Sequence, residues 1–448
     1  MVNAIGGTRR WTNSSEDESY AGAAPVPHGV RMQRSTVARD GYRRVLGVGE
    51  FRVLFAALTV SMAGTVLASL ALAVLVYERT RSPALSALTF AFGFIPYLVG
   101  GVLLSGLADR VPPRALMTTC DLLRACLFAA MAVPGVPVTV LLALLFAGGL
   151  IAPVFSGAQS ALLPDILGEG DGYVLGRSLL RIVAQSTQIL GYALGGVLLL
   201  IVAPRTMLII DALSFIASAA LIRLLIERRP ARARARVASA GHGLRIMWRN
   251  PALRRLLAFQ ALVPAFAVVP EALAIPYVTD LGRPAAAAGL LLWALPAGTI
   301  TGELLAGRFV ADDRRRRLIV PFAAVVSLAQ IGFVFRPGTA LGALLLVISG
   351  LGFAYTLGLD AVLLQRIPVP LRGQGLAVAS ALPMFTQGLG FAVAGAAAEY
   401  IAPSTVIWVG ACLALTVILS IGASAHRPPR PARRGRSADH AVDADAGR

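Results

Sequence analysis

The chain alternates long apolar runs with short polar segments. A helix needs about 20 mostly apolar residues to cross the hydrocarbon layer of a membrane, and cutting at the polar segments leaves about twelve such runs. Lipid offers no partner for unpaired backbone groups and the runs are too long for barrel strands, so only helices fit. The pattern predicts an all-α polytopic membrane protein with spans at 53–76, 84–107, 115–134, 138–161, 177–202, 205–226, 254–279, 285–307, 318–335, 339–365, 374–400 and 403–424.

The composition supports this class and excludes several others. Apolar residues make up 56% of the chain and charged residues only 14%, against about 25% charged in an ordinary soluble protein. So few charges cannot cover a soluble surface, which excludes an ordinary soluble enzyme and a disordered scaffold. The three cysteines, Cys120, Cys126 and Cys412, are too few for a disulfide-stapled secreted protein.

Polar segments divide the chain into five regions. Residues 1–47 are polar and lack the apolar core of a signal peptide, so they predict a disordered tail, as do residues 426–448. An Arg-rich loop at 227–253 separates an N-terminal six-helix half at 48–226 from a C-terminal half at 254–425.

The charge pattern predicts membrane topology. The net charge is +18, and every basic side chain other than histidine is Arg. The arginines concentrate in the tails and in the loops after even-numbered spans, which excludes nucleic acid as the expected partner and places both termini in the cytoplasm by the positive-inside rule. The plasma membrane is the expected location. Few arginines follow odd-numbered spans: Arg79, Arg81, Arg205, Arg283 and Arg336.

An internal repeat relates the two halves. Residues 187–196 and 386–395 share six of ten identities at an offset of 199, and the same offset aligns residues 203–206 with 402–405. Gly- and Ala-rich helices resemble one another by chance, but a shared Thr-Gln and Ala-Pro-x-Thr in one register favours duplication. Six spans per copy is an even number, so the copies are parallel repeats, a plan typical of transporters.

A motif after span 2 resembles a family signature. Residues 105–114 are similar to the Gly-x-Leu-Ala-Asp-Arg-x-Gly-Arg-Arg of the major facilitator superfamily. Ser105 replaces the first Gly, and Pro112 and Pro113 replace Gly-Arg. The resemblance covers about residues 50–424 and implies the major facilitator fold, with two parallel six-helix repeats. The matching residues are Leu107, Ala108, Asp109, Arg110 and Arg114.

This motif predicts a latch on the cytoplasmic face. A carboxylate at a helix junction can accept bonds from the free N–H groups at a neighbouring helix N-terminus. The resemblance implies that span 2 lies beside span 11, which starts near Gly373. We therefore expect Asp109, with Arg110 and Arg114, to close the inner gate on that start. The alternative is a solvated turn that only sets topology.

Span 5 carries a second family element. It is similar to an antiporter signature, Gly-Pro-x-x-Gly-Gly, with Gly191, Gly195 and Gly196 in place and Tyr192 where the proline stands. Small residues permit close helix packing, and Gly390 is the repeat equivalent of Gly191. The chain most resembles the efflux-type members, which export drugs, macrolides and siderophores.

Charged residues within spans are costly and mark functional positions. The resemblance implies that spans 5 and 8 meet across the halves, so Arg181 and Glu303 are expected to form a salt bridge in the outward-open state; the alternative is that each reaches water separately. Asp121 and Arg124 are three residues apart on one helix face, and we expect a structural ion pair.

Glu271 and Asp360 are the candidates for proton coupling. They lie in spans 7 and 10, which line the cavity in the family. A carboxyl group shielded from water is easier to protonate, so either could load and release a proton; a structural or substrate-binding role remains equally open. Pro264, Pro270 and Pro276 interrupt span 7, as expected of a helix that bends.

Polar and aromatic side chains near mid-membrane suggest the substrate. The symmetry-related Gln188 and Gln387 could bind a substrate, or could instead join helices. The aromatic side chains favour an amphiphilic or largely apolar molecule. The expected cavity lining includes Tyr97, Phe155, Tyr192, Trp293, Tyr355 and Phe391.

No enzyme constellation is present in the sequence, so we expect no enzymatic activity, no metal and no cofactor. The sequence predicts a monomeric, secondary-active transporter that exports an amphiphilic small molecule, a drug or natural product, by alternating access with proton antiport. A facilitator or importer of the same fold is one alternative. A non-transporting membrane sensor or scaffold is another.

Overall fold

The fold is described from a computed structural model of the chain. The structure describes residues 42–103, 107, 110–168, 170–230, 248–367 and 372–425. The first six main helices are α1 (Gly49–Thr80), α2 (Pro83–Leu103), α3 (Pro113–Ala132), α4 (Val138–Leu167), α5 (Asp171–Leu198) and α6 (Pro204–Leu225).

The last six helices include several interrupted ones. Helix α7 has three pieces, Pro251–Ala267, Val269–Ala272 and Ala274–Asp280, and α8 (Ala288–Phe309) follows a 3₁₀ turn. Helix α9 (Ile319–Ile331) ends in a 3₁₀ turn, and a 3₁₀ turn also divides α10. The bounds of the others are Thr339–Leu351 and Tyr355–Arg366 for the two parts of α10, Arg372–Ala397 for α11 and Pro403–Ala425 for α12.

The predicted tails and central loop fall mainly outside the described residues. Residues 42–47 are an exception, because the sequence assigns them to the tail and the structure makes them helical. Val45 is 4% exposed there and packs with the first half. Burial of this apolar side chain stabilises the helical turns that precede the first span.

Nine helices in the described part of the chain are long and apolar enough to cross a membrane. There are also shorter apolar helices: Pro83–Tyr97 lies within α2, and Ile319–Phe335 is α9 together with the 3₁₀ turn that follows it. Helix α5 is as long as its neighbours but carries Arg177, Arg181 and several other polar side chains. The all-α polytopic class is therefore confirmed, and the more polar α5 stands out among its helices.

Helix pairing in the second half repeats that of the first. In the first half α1 packs on α5 and α6, α2 on α4, and α3 on α4 and α6. In the second half α7 packs on α11 and α12, α8 on α10, and α9 on α10 and α12. Adding six to each helix number converts one set into the other, as the internal repeat predicts.

Prolines divide α7 as the sequence predicts. Its pieces are Pro251–Ala267, Val269–Ala272 and Ala274–Asp280. Proline lacks an N–H and its ring crowds the preceding turn, and regular helix is interrupted at Val268 and Leu273. The breaks place Glu271 on a short central piece, away from regular helix on either side.

A buried polar cluster joins α3 to α6 and corrects the expected ion pair. Asp121 accepts a hydrogen bond from the Ser218 hydroxyl at 2.6 Å, with both side chains buried. The Arg124 guanidinium lies over the Phe215 ring, 5.1 Å from its centroid, and acts on Asp121 and Asp211 only electrostatically. Arg124 therefore takes a cation–π contact instead of a direct salt bridge with Asp121.

The apolar core shows where the halves meet. We call the end at which α1 begins the terminal end, and the end at which α2 begins the distal end. Two terminal-end clusters each contain residues of one half, around Phe51 and Leu162 or around Leu257 and Leu359. A distal cluster contains residues of both halves, including Phe90 and Phe391. The halves are thus packed together at the distal end.

Within the second half, backbone contact joins α8 to α10. A Cβ built on Gly298 would contact the Val347 carbonyl oxygen and lie 2.9 Å from Gly350 Cα. A side chain there would have to push the two helices apart. Gly307, further along α8, has nothing within 4 Å of its Cβ position and serves as a matched control.

We expect Gly298→Ala to destabilise the protein by about 1–3 kcal/mol through overpacking. Gly307→Ala should be neutral or stabilising by up to about 1 kcal/mol, because alanine favours helix. Thermal unfolding of the purified protein in detergent, followed by size-exclusion fluorescence, measures both. Equal melting temperatures for the two variants would contradict the described α8–α10 contact.

Candidate functional site

Two helix pairs make most of the packing between the halves in the described ranges, α2 with α11 and α5 with α8. In the first pair the ring of Phe391 lies between those of Phe90 and Phe94, at centroid distances of 5.7 and 5.4 Å. Gly395 lets α11 approach Ala87 of α2. These contacts close the distal end with apolar side chains. From there α2 and α11 continue toward the terminal end.

The second pair meets backbone to backbone. A Cβ built on Gly196 would lie 2.9 Å from Gly289 Cα, and one on Gly289 would lie 2.6 Å from Gly196 Cα. Any side chain at either position would hold α5 and α8 apart. The other glycines singled out by the sequence lie within single halves: Gly191 and Gly195 against Val66 and Leu70 of α1, and Gly390 against Ala265 of α7.

A hydrogen bond across the halves occupies the centre of this interface. The Tyr192 hydroxyl of α5 donates to Glu271 Oε1 of α7 at 3.0 Å. Tyr192 is 6% exposed, and Gln188 and Ser69 also lie beside its hydroxyl group. The tyrosine that replaces the signature proline therefore partners one of the two proton-coupling candidates. The sequence could not show this, because the two residues lie on different halves.

Two further polar contacts bridge the halves nearer the distal surface. Thr279 Oγ1 of α7 donates to the Tyr77 hydroxyl of α1 at 3.2 Å. Glu399 accepts from the Ala84 amide at 3.0 Å and from the Ser82 hydroxyl. One sequence signal does point to Glu399: an acidic side chain at a helix C-terminus is disfavoured by the helix dipole and so requires a partner.

Charged side chains also lie toward the terminal end, between helices of both halves. Glu303 of α8 accepts from the Thr356 hydroxyl at 3.3 Å, and Asp360 of α10 accepts from the Gln260 amide at 3.4 Å. Arg181 of α5 acts electrostatically on both acids. Arg181 and Asp360 are exposed, and Glu303 is half-buried.

Arg181 and Glu303 therefore face one another without direct contact. Each lies on its expected helix, and α5 packs on α8. Glu303 bonds instead to Thr356 within its own half. The salt bridge between Arg181 and Glu303 is predicted only for the state in which the terminal end is closed. In this structure the halves pack together at the distal end, so the prediction does not require the two side chains to be in contact.

The predicted latch lies only partly within the described residues. Asp109 is outside them, as are the surroundings of Gly373, although α11 begins at Arg372 as expected. Arg110 is exposed. Arg114 donates to the Arg223 carbonyl oxygen at the end of α6, which ties α3 to α6 within one half.

A separate ion pair fastens the terminal end of the first half. Arg229 donates to both carboxylate oxygens of Glu50, at 2.6 and 3.0 Å, and Glu50 also accepts the Glu227 amide at 2.7 Å. The carboxylate raises the pKa of Arg229 above its usual value. This bidentate contact joins the start of α1 to the segment after α6.

The cavity lining expected from span and depth is wrong for three aromatics. Phe391 is 0% exposed in the distal seal, Tyr355 is 1% exposed and Phe155 is 6% exposed in single-half clusters. Trp293 lines a distal groove between α5 and α8 of about 460 Å³. Gln387 is half-buried. Depth along a helix could not reveal which face each ring takes.

No group of three or more His, Cys, Asp or Glu in the described ranges is placed to hold a metal ion. The geometry instead defines a polytopic helical bundle of two like halves, packed at one end, with charged side chains between them toward the other. This is the architecture of a membrane transporter that binds substrate between repeats.

Comparison with known proteins identifies the family. The model of the Major Facilitator Superfamily matches residues 53–381, and the chain belongs to this superfamily. It is 26% identical over 366 residues to the multidrug efflux pump Tap of Mycolicibacterium fortuitum, covering 78% of this chain and 88% of Tap. The prediction of this family from the sequence is thereby confirmed, and the chain is a multi-pass membrane transporter of small molecules.

Solved structures share the fold. The structure of nucleoside transporter NupG matches with a TM-score of 0.64 at 14% identity, and the match covers 84% of this chain and 100% of NupG. A D-xylose-proton symporter matches at 0.62 and 16% identity, covering 83% and 96%. An inward-facing bacterial homologue of the iron transporter ferroportin matches at 0.58 and 16% identity, covering 83% and 98%.

We expect Gly289→Val to weaken distal closure, because its side chain cannot fit against Gly196. The labelling background has the native cysteines replaced by alanine and a single thiol at Thr279→Cys. In this background, Gly289→Val should make that thiol react with a membrane-impermeant maleimide about tenfold faster than it does without the Gly289 substitution. Gly307→Val, where nothing lies within 4 Å, is the control. Equal labelling rates in the two variants would show that Gly196 and Gly289 do not hold the halves together.

Proposed function

We propose that this transporter exports an amphiphilic small molecule, a drug or natural product, by alternating access with proton antiport. The similarity to a multidrug efflux pump supports the export direction. The Arg distribution supports cytoplasmic termini in the plasma membrane. On that orientation the distal end faces outward, and the structure represents an inward-open state.

The observation that carries the proposal is the hydrogen bond between Tyr192 and Glu271. It places a carboxyl group within the membrane at the contact that must separate when the distal end opens. Donation of the tyrosine O–H stabilises the ionised carboxylate. Opening would remove that donor and favour proton uptake from outside, whereas closure would favour proton release toward the cytoplasm.

We assign the charged side chains at the terminal end to the part of the transport cycle in which substrate enters from that end. Asp360 and Glu303 border the space that separates the halves there, and Asp360 remains the second candidate for proton coupling. Gln188, beside Tyr192, and its repeat equivalent Gln387 are the polar groups for substrate. A site with few charges and apolar walls suits an amphiphilic molecule.

Closure of the terminal end is assigned to two contacts between the halves. Asp109, supported by Arg110 and Arg114, would cap the start of α11 near Gly373. Arg181 would move from electrostatic range into direct contact with Glu303. Both contacts belong to the outward-open state, in which the distal interface is broken. Gly191, Gly195, Gly196 and Gly390 are assigned to helix packing.

We expect Glu271→Gln to abolish proton-driven efflux, because glutamine neither binds nor releases a proton at this site. Asp280→Asn is the matched control, since Asp280 is a distal carboxylate that pairs with Arg336 inside one half. The measurement is accumulation of a panel of amphiphilic drugs and dyes in efflux-deficient cells, with and without a protonophore.

The panel also separates the two candidate acids. Wild type should lower accumulation of at least one compound, and the protonophore should remove that effect. Tyr192→Phe should retain transport but shift the pH dependence of efflux. Protonophore-sensitive efflux in Glu271→Gln that disappears in Asp360→Asn would transfer the coupling role to Asp360 and contradict the assignment.

We expect exchange of charges to test the Arg181–Glu303 contact. Arg181→Glu and Glu303→Arg should each reduce transport, because each brings like charges together when the terminal end closes. The double variant should recover a substantial part of wild-type efflux. A double variant no better than the weaker single variant, at equal surface expression, would mean that the pair is not coupled.

A further inference from the structure

Glu399 lies just beyond the distal end of α11, in the second half, and bonds to the start of α2 in the first half. Its Oε1 atom accepts the backbone N–H of Ala84 at 3.0 Å and the hydroxyl of Ser82. Ser82 Oγ in turn accepts the Leu85 amide at 3.1 Å. The carboxylate thus completes the N-terminal cap of a helix that belongs to the other half.

Helix electrostatics favour this bond from both sides. The first turn of α2 has N–H groups without partners in its own helix and the positive end of the helix dipole. The end of α11 carries the negative end of its dipole, which disfavours a carboxylate. Glu399 is therefore placed unfavourably beside the end of α11 and favourably against the start of α2.

The partners are far apart in the chain and on different halves. Glu399 lies 317 residues from Ser82 and 315 from Ala84. Any motion that opens the distal end must separate α2 from α11 there and break this bond. The Asp280–Arg336 ion pair on the same face joins two segments of one half, so opening does not require it to break.

We propose that Glu399 is a latch for the outer face, formed when the distal end is closed and released when it opens. The same two helices carry the expected inner latch, in which Asp109 after α2 would cap α11. Each helix would then end in a carboxylate that caps the start of the other, one at each membrane face. The inference rests on the proposed alternating-access transport and does not depend on proton coupling or substrate identity.

The test measures the distal separation directly. Spin labels are attached at Glu78→Cys and Tyr400→Cys, both exposed positions at the distal end on opposite halves, after Cys120, Cys126 and Cys412 are replaced by alanine. Double electron–electron resonance on the full chain in nanodiscs then gives the populations of short and long distances. The variants are Glu399→Ala, Glu399→Gln and Ser82→Ala, with Asp280→Asn as the control.

The latch predicts that Glu399→Ala raises the ratio of long to short distances about threefold, as suits a solvent-exposed carboxylate at a helix N-terminus. Glu399→Gln keeps an acceptor without the charge and should give a smaller shift in the same direction. Ser82→Ala should also shift the ratio. Asp280→Asn should match the wild type.

Wild-type populations in both Glu399 variants would overturn the proposal, as would an equal shift in Asp280→Asn. Glu399→Gln preserves size and an acceptor oxygen, so it remains informative if the alanine variant is unstable. The distances require neither substrate nor a proton gradient. A failure of the efflux assay would therefore contradict the proposed function and leave the latch result intact.

Discussion

In the part of the chain that the structure describes, the two halves pack together at the distal end, and this packing determines how the other groups between them are arranged. Backbone contact between Gly196 and Gly289 and the ring packing around Phe391 bring the distal ends together. Apolar clusters at the terminal end belong to one half each. Because these contacts close one face, the charged groups toward the other face remain separated across the halves.

Several polar groups at the closed interface are paired with the opposite half. Within a membrane an unpaired polar group is expensive, so a hydrogen bond between halves resists their separation. Tyr192 with Glu271, Tyr77 with Thr279, and Glu399 with the start of α2 all have this form. Their surroundings differ, because Glu271 lies on the central piece of α7 and bonds to the buried Tyr192, while Glu399 is exposed at the distal end.

The sequence predicts the helices, the parallel duplication and the family well, because apolar runs, the offset of 199 and the motif after span 2 are local patterns. It also finds Glu271 as a charge inside a span. It does not find the role of Tyr192, which looks like the loss of a proline, and it misplaces Phe391 in the cavity. Both depend on contacts between halves that only the folded chain brings together.

We propose that ionisation of Glu271 holds the distal end closed. Spin labels at Arg177→Cys and Arg308→Cys, exposed sites on α5 and α8 at the terminal end, report it directly. Lowering the pH, or Glu271→Gln at any pH, should increase the population with a short distance between the two labels, because the terminal end then closes. A distance distribution unchanged by pH and by Glu271→Gln would contradict it.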